Sequence, residues 1–228
     1  MKIGILGAGR IGGALAGPLN ALGHDVWIAN SRGPASLGAV AASTGARPAG
    51  VEDAVRNAGV VVVAIPLGKV PELDPHLFSL RETDAPVIDT TNYDVARDGR
   101  IEELWDDQDF TDSAWVGTQI GTPVVKVFNN IIAQRIIDLA RPAGDPRRVA
   151  LPVAGDDGAP KQRVMTLVDE LGFDPVDAGP INESWRQHIG TPGFITDLQA
   201  GPLRAALQAA TRDHNLAYRQ SILPTDTL

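Results

Sequence analysis

The chain has 228 residues, 43% of them hydrophobic and 21% charged, with 28 acidic against 20 basic side chains. This composition belongs to a globular protein long enough to build its own core without staples. The absence of cysteine excludes disulfides, thiolate metal sites, iron–sulfur clusters and a cysteine nucleophile. A formal charge of −8 repels phosphate backbones, so no nucleic-acid partner is expected. The richest basic stretch, Arg141 to Arg148, contains Asp145 and reads as a solvated loop. The longest apolar run, inside Ala58–Leu67, is far short of the roughly 18 residues a membrane span needs, and Met1-Lys2-Ile3-Gly4 enters a strand with no leader pattern. No membrane partner and a cytoplasmic location are expected.

In chain order, short Val/Ile-rich runs alternate with amphipathic stretches, the signature of βαβ units. Strand 3–6 leads through a glycine turn to helix 11–22, then strand 26–29, helices 34–43 and 51–57, and strand 60–65, which is β-branched at every position but Ala64. Strands at 86–89 and 124–128 follow, then helix 131–139, strand 148–154, helix 159–171 and strand 174–176. In the last of these helices Val164, Leu167, Val168 and Leu171 share one face. The fold class is α/β, a doubly wound Rossmann-type parallel sheet spanning residues 1–180. Residues 181–228 form a small C-terminal helical appendage, a helix over 196–211 interrupted near Gly201-Pro202. The appendage is expected to complete an acceptor pocket, and its apolar face (Leu198, Leu203, Ala206, Leu207, Ala210) to serve a homodimer contact.

Gly7-Ala8-Gly9-Arg10-Ile11-Gly12 matches G-x-G-x-x-G, a weak pattern alone but a strong one between an N-terminal strand and an amphipathic helix. Gly7 permits the tight turn. Gly9 lets backbone approach a pyrophosphate at the positive end of a helix starting near Ile11, and Gly12 lets that helix sit close to the strand. Arg10 either flanks the phosphate or points to solvent. About 20 residues on, where NAD-binding units carry an acid for the ribose 2′-hydroxyl, the chain reads Asn30-Ser31-Arg32. A hydroxyl and a guanidinium suit a 2′-phosphate, so the expected cofactor is NADP(H). Ile65, Pro66 and Leu67 end the central strand, with Pro66 turning the chain over the dinucleotide. Asp89-Thr90-Thr91-Asn92 ends the next, with Thr90 and Asn92 as further cofactor contacts or plain turn residues.

Further motifs carry a resemblance. These are Val127-Phe128-Asn129-Asn130-Ile131 followed by Arg135, Leu151-Pro152-Val153-Ala154-Gly155-Asp156-Asp157, Phe173-Asp174-Pro175-Val176-Asp177-Ala178-Gly179-Pro180, and Thr191-Pro192. With the glycine turn and Asn30-Ser31-Arg32, they make the chain from Met1 to about Asp213 similar to the NADP oxidoreductase family that includes NADPH-dependent reductases of the deazaflavin coenzyme F420. The resemblance implies that Ser31 and Arg32 hold the 2′-phosphate and that Ala154 and Gly155 lie near the nicotinamide. It also implies that Asn129, Asn130 and Ile131 border the acceptor ring and that Thr191 and Pro192 close the far wall. Two features depart from it: Asn129 stands where a histidine is expected, and Gly-Ala-Gly replaces Gly-Thr-Gly.

Hydride transfer between stacked rings rests on positioning and demands no dedicated proton donor, which fits a chain with no evident acid–base constellation. The expected activity is hydride transfer between NADPH and a small-molecule acceptor that is planar, coenzyme F420 or a flavin as co-substrate. A reductase of a small carbonyl or imine would need an acid, for which His188, Lys126 and Tyr93 are the candidates. Lys126 and Asn130 have a K-x-x-x-N spacing, but at a strand end rather than on a helix. A catalytically silent NADP-binding sensor is the third reading. Asp106, Asp107, Asp109 and Asp112 read as a solvated acidic surface, His24 as a turn residue, and Trp185 as packing or as a cover for a flat ring.

Overall fold

The computed structural model describes residues 1–106, 110–156 and 158–222. Strand β1 (Lys2–Leu6) leads into helix α1 (Arg10–Ala21), and β2 (Asp25–Ala29) is followed by a 3-10 turn, α2 (Gly38–Thr44), β3 (Arg47–Pro48) and α3 (Val51–Val55). Then come β4 (Val60–Val63), two 3-10 turns, β5 (Val87–Asp89), α4 (Val95–Asp98), α5 (Glu102–Asp106), α6 (Asp112–Ile120) and β6 (Val125–Lys126). The remainder is α7 (Ala133–Asp138), β7 (Ala150–Val153), α8 (Gly158–Glu170), β8 (Asp174–Asp177), a 3-10 helix over Ile181–Gln187, α9 (Ala200–Ala209) and α10 (Arg212–Ile222).

Six strands form one parallel sheet in the order β3-β2-β1-β4-β5-β6. The order reverses at β1, as in a doubly wound fold, so ligand-binding loops gather at the carboxyl ends beside β1 and β4. Both faces are covered. Ile3, Ile5, Val60 and Val62 face α1 and α8, while Leu6, Val61 and Val63 face the opposite core with Ala54, Val116 and Ile120. Such two-sided burial explains why β4 is four valines without polar alternation.

The last two strands depart from the sequence expectation. β7 and β8 form their own parallel pair and touch the main sheet through one antiparallel bridge, Lys126 to Ala154. Pro152 lies inside β7 and Pro175 inside β8, and each removes a ladder donor, which keeps these strands at an edge. Because β7 runs opposite to β6, Ala154 just past its end lies level with Lys126 at the carboxyl end of β6.

The C-terminal segment also differs. Gly201 and Pro202 sit in the first turn of α9, where proline is tolerated, and the chain breaks after Ala209 instead. Leu203 and Leu207 pack against Ala150 and Val176, so the face expected to serve a dimer is occupied within the chain. Arg148, expected in a solvated loop, is buried and paired with Asp169 at 2.7 Å and Asp174 at 3.1 Å. Among the described residues no helix is long and apolar enough to cross a membrane.

Candidate functional site

The glycine turn is built by contact at two positions and left open at the third. Gly7 adopts φ +116°, and a Cβ there would fall 2.2 Å from the Ala64 carbonyl oxygen; one on Gly12 would fall 1.9 Å from the Gly7 carbonyl oxygen. Gly9 has nothing within 4 Å of its Cβ position. It is the N-cap of α1, with no side-chain cap and no acid in the first turn. The leading amides of a helix lack intrahelical acceptors, so those at the start of α1 present donors and a positive dipole end to the space above Gly9. Residues and space fit the pyrophosphate of a dinucleotide. Arg10 is exposed and Ile11 half-buried at the same end.

Beyond β2 the Asn30 side chain shapes the loop. Its Oδ1 accepts from the Arg32 amide at 2.9 Å, and its Nδ2 donates to Ser36 Oγ at 3.0 Å. Ser36 Oγ in turn donates to the Gly33 carbonyl at 2.8 Å. Asn30, named from sequence as a cofactor contact, is thus the organiser of a turn that leaves Ser31 and Arg32 exposed.

At the end of β4, Pro66 is exposed and Ile65 half-buried, but Leu67 is fully buried in the core and offers no side-chain surface to a ligand. The next strand end is a buried polar knot. Asp89 accepts from the Thr91 amide at 2.8 Å and from Ser113 Oγ at 2.5 Å. Lys126, with 0% exposure, donates to the Thr91 carbonyl at 2.9 Å and to Ser113 Oγ at 2.8 Å, with Asp89 Oδ2 3.6 Å away. Lys126 therefore braces the β5 and β6 ends. Thr90 Oγ1 donates back to the Val63 carbonyl at 3.1 Å.

The other acid candidates are equally engaged. Tyr93 Oη donates to the Gly99 carbonyl and accepts from the Ile101 amide, both at 2.9 Å, and burial raises its phenol above the ordinary value. His188 is 3% exposed, with Nδ1 3.0 Å from Asn215 Oδ1 and Nε2 3.6 Å from Asp112 Oδ2. Burial first, then the positive charges of Lys126 and Arg219 against the opposing pull of Asp112, lower it to about 4, so it is neutral at pH 7. Burial raises the Asp112 carboxyl, but His188, Lys126, Arg219 and the Tyr93 amide outweigh that and hold it below its ordinary value. Asp112 is accordingly a buried anion and not part of a solvated acidic surface; Asp107 and Asp109 lie outside the described residues.

A chain of amides links the strand ends to the appendage. Asn129 Nδ2 donates to Asn92 Oδ1 at 2.9 Å and to the Gln187 carbonyl at 2.8 Å, Gln187 Nε2 donates to Asn129 Oδ1 at 2.9 Å, and Asn92 Nδ2 donates to the Asn129 carbonyl at 2.7 Å. Asn129 is spent on this network. Gln187, fully buried, was not identified from sequence, because its role exists only through contacts 58 residues apart. Trp185 has the Arg186 and Arg212 guanidinium groups at 4.3 Å and 4.8 Å from its ring centroid, so cations already cover the ring. Thr191 is buried and donates to the His188 carbonyl at 2.8 Å, whereas Pro192 is exposed.

Beyond β6 lies a shallow surface groove, too tight to hold a water, lined by Asn130, Ile131, Val149, Leu151, Asp197 and Leu203, among others. Ala154 and Gly155 are not there. Ala154 is buried in the bridge to Lys126, level with the carboxyl end of β6, and Gly155 lies against Val125. Asp157 lies outside the described residues.

Residues 2–93 match the model of the family described as NADP oxidoreductase, coenzyme F420-dependent. Over these residues the resemblance drawn from the sequence holds. This match covers the glycine turn, the Asn30-Ser31-Arg32 loop and the ends of β4 and β5, and it stops before Asn129 and Asn130. Protein YjhV of Escherichia coli is 42% identical over 81 residues, which make up 36% of this chain and 59% of that protein. A hypothetical protein from Sinorhizobium meliloti has a similar structure, with a TM-score of 0.72 at 29% identity over 87% of this chain and 95% of the other. A candidate F420-dependent NADP-reductase from Arthrobacter sp. FB24 gives 0.65 at 25% identity, over 81% and 87% of the two chains. The family match and these structures support an NAD(P)-dependent oxidoreductase.

Proposed function

We propose that the protein binds NADP(H) and catalyses hydride transfer between NADPH and a planar acceptor, coenzyme F420 or a flavin. The observation that carries this reading is the Gly9 position: open space above an uncapped helix start, with an exposed serine–arginine pair across the turn from it. When bound, the dinucleotide supplies the hydride. The chain's own part is to hold and orient. The α1 amides receive the pyrophosphate, Ser31 and Arg32 receive the 2′-phosphate, and the Asn92–Asn129–Gln187 amides fix the strand-end loops where the rings would stack.

The carbonyl or imine alternative is disfavoured by the same geometry. Lys126, His188 and Tyr93 are all buried, hydrogen bonds hold the Lys126 ammonium and the Tyr93 hydroxyl, and burial keeps His188 neutral at pH 7, so none of the three is poised to protonate a developing alkoxide or amine. The test is titration with NADPH and NADH followed by addition of F420, FMN or FAD under observation of NADPH absorbance. Preferred NADPH binding and its oxidation by one of these acceptors supports the proposal. Tight binding with no turnover of any acceptor points to a sensor, and no binding of either form defeats the reading.

A further inference from the structure

Helix α10 is docked on the rest of the chain mainly through polar side chains. None of its residues is fully buried, and its apolar Leu216 and Ile222 are only half-buried. A surface helix is ordinarily held by a buried apolar stripe, so this one is weakly anchored for its length. Asn215 Oδ1 lies 3.0 Å from His188 Nδ1. Arg219 donates to the Leu104 carbonyl, with its guanidinium 4.9 Å from the Tyr93 ring centroid and 3.5 Å from Asp112. Arg212 lies over the Trp185 ring. The helix thus ties the loop after β5 to the 3-10 helix over Ile181–Gln187. Its seat is shaped for it at Gly190, where φ is +89° and a Cβ would fall 2.8 Å from the His214 carbonyl oxygen.

The docked position leaves groups unmet. Trp185 Nε1, His188 Nε2, Asp112 Oδ1 and Asn215 Nδ2 are sealed from solvent and have no hydrogen-bond partner among the described residues. A gap lined by Phe110, Thr111, Trp185, His188 and Leu216, with side chains of α10, remains in the seat. Each unmet group opposes docking, because water satisfies it once the helix lifts. Few buried apolar contacts and opposing polar groups mark an element that opens locally, below the stability of the core. The joint is present as well. Ala210 breaks the chain between α9 and α10 at ψ +137°, and the Thr211 amide closes the next turn on His214 Nδ1 at 3.0 Å.

We propose that α10 is a strap that docks and undocks as a unit about Ala210–Thr211 and controls the 3-10 helix at the proposed acceptor end. Docked, it fixes His188 and with it the preceding Gln187, whose carbonyl and Nε2 hold Asn129 and so Asn92. Undocked, it uncovers Trp185 and His188 and lets Gln187 loosen. The strap rests on these contacts and not on the identity of the acceptor.

The test is hydrogen exchange of the full chain at pH 7, read by mass spectrometry on peptides covering α10, residues 181–191 and β4. The α10 amides are expected to be protected yet to exchange at least about 100-fold faster than those of β4, at a rate that low urea leaves unchanged. Arg219→Met is expected to speed α10 exchange by about 10- to 100-fold, with residues 181–191 following and β4 unchanged. Should that variant fail to fold, Asn215→Leu, which loses only the contact to His188, is expected to give the same pattern at about 2- to 10-fold. Exchange of α10 only together with β4, in one global unfolding, overturns the proposal, and so does an α10 with no protection. A variant that frees α10 without a response in residues 181–191 overturns it too, because the helix then controls nothing beneath it.

Discussion

Two alanine substitutions three residues apart should damage different properties. At Gly12 a Cβ would lie 1.9 Å from the Gly7 carbonyl oxygen and 3.1 Å from Ile5 Cγ2. Real Cβ contacts do not fall below 3.0 Å, so α1 must retreat from β1 by about an ångström or the turn must deform. Overpacking of this kind costs about 1–3 kcal/mol or more, and the obstacle is backbone that cannot rotate away. For a chain of this length that corresponds to a fall in melting temperature of roughly 2–12 °C. At Gly9 nothing lies within 4 Å and φ is −81°, which alanine adopts freely. Gly9→Ala should therefore stay within about 1 kcal/mol of the parent, a shift of no more than roughly 4 °C, while its methyl group enters the space assigned to the pyrophosphate. NADPH affinity should fall by about ten-fold or more. Differential scanning calorimetry and isothermal titration with NADPH read the two properties separately. If Gly9→Ala binds NADPH as well as the parent does, the space above Gly9 is not the phosphate cradle.

Arg32→Ala removes the exposed guanidinium and should weaken NADPH binding by roughly ten- to a hundred-fold while leaving NADH nearly unchanged; equal losses for both would refute a role at the 2′-phosphate. His188 is held at about 4, below its ordinary 6.5, among Asp112, Lys126, Arg219 and Asn215. A lowered histidine contributes stability that is fully present above pH 6.5 and is lost as pH falls towards 4, in total about 3 kcal/mol. Asp112, lowered as well, adds a loss in the same direction at still lower pH. Urea denaturation at pH 7 and pH 4.5 should show the decline, and His188→Gln should flatten it; a profile unchanged by that substitution would be the contrary result. Lys126→Met leaves Asp89 buried without its cation and should destabilise by about 3–5 kcal/mol, with part of the loss recovered when Asp89→Asn is added. Were Lys126→Met as stable as the parent but inactive, the lysine would be a proton donor and not a brace.

By itself the sequence determined the cofactor end of the molecule, because the forces there are local. Gly7, Gly9 and Gly12 serve a turn between neighbouring elements, the four valines of β4 announce a strand buried on both faces, and Ser31-Arg32 follow β2 directly. The existence of β7 and β8 was legible too, but not their separation from the main sheet, for which Pro152 and Pro175, each lacking a ladder donor, were the overlooked signal. What only the tertiary structure decided lies at the proposed acceptor end. The antiparallel bridge of Ala154 to Lys126 detaches β7 from the parallel sheet, and contacts across 37 and 58 residues turn Asn129 from a ring contact into a brace joined to Asn92 and Gln187. Partnership of this kind leaves no periodicity in a chain. A side-chain amide reads the same in sequence whether its hydrogen bonds are all met, as at Asn129, or one acceptor is left open, as at Asn130.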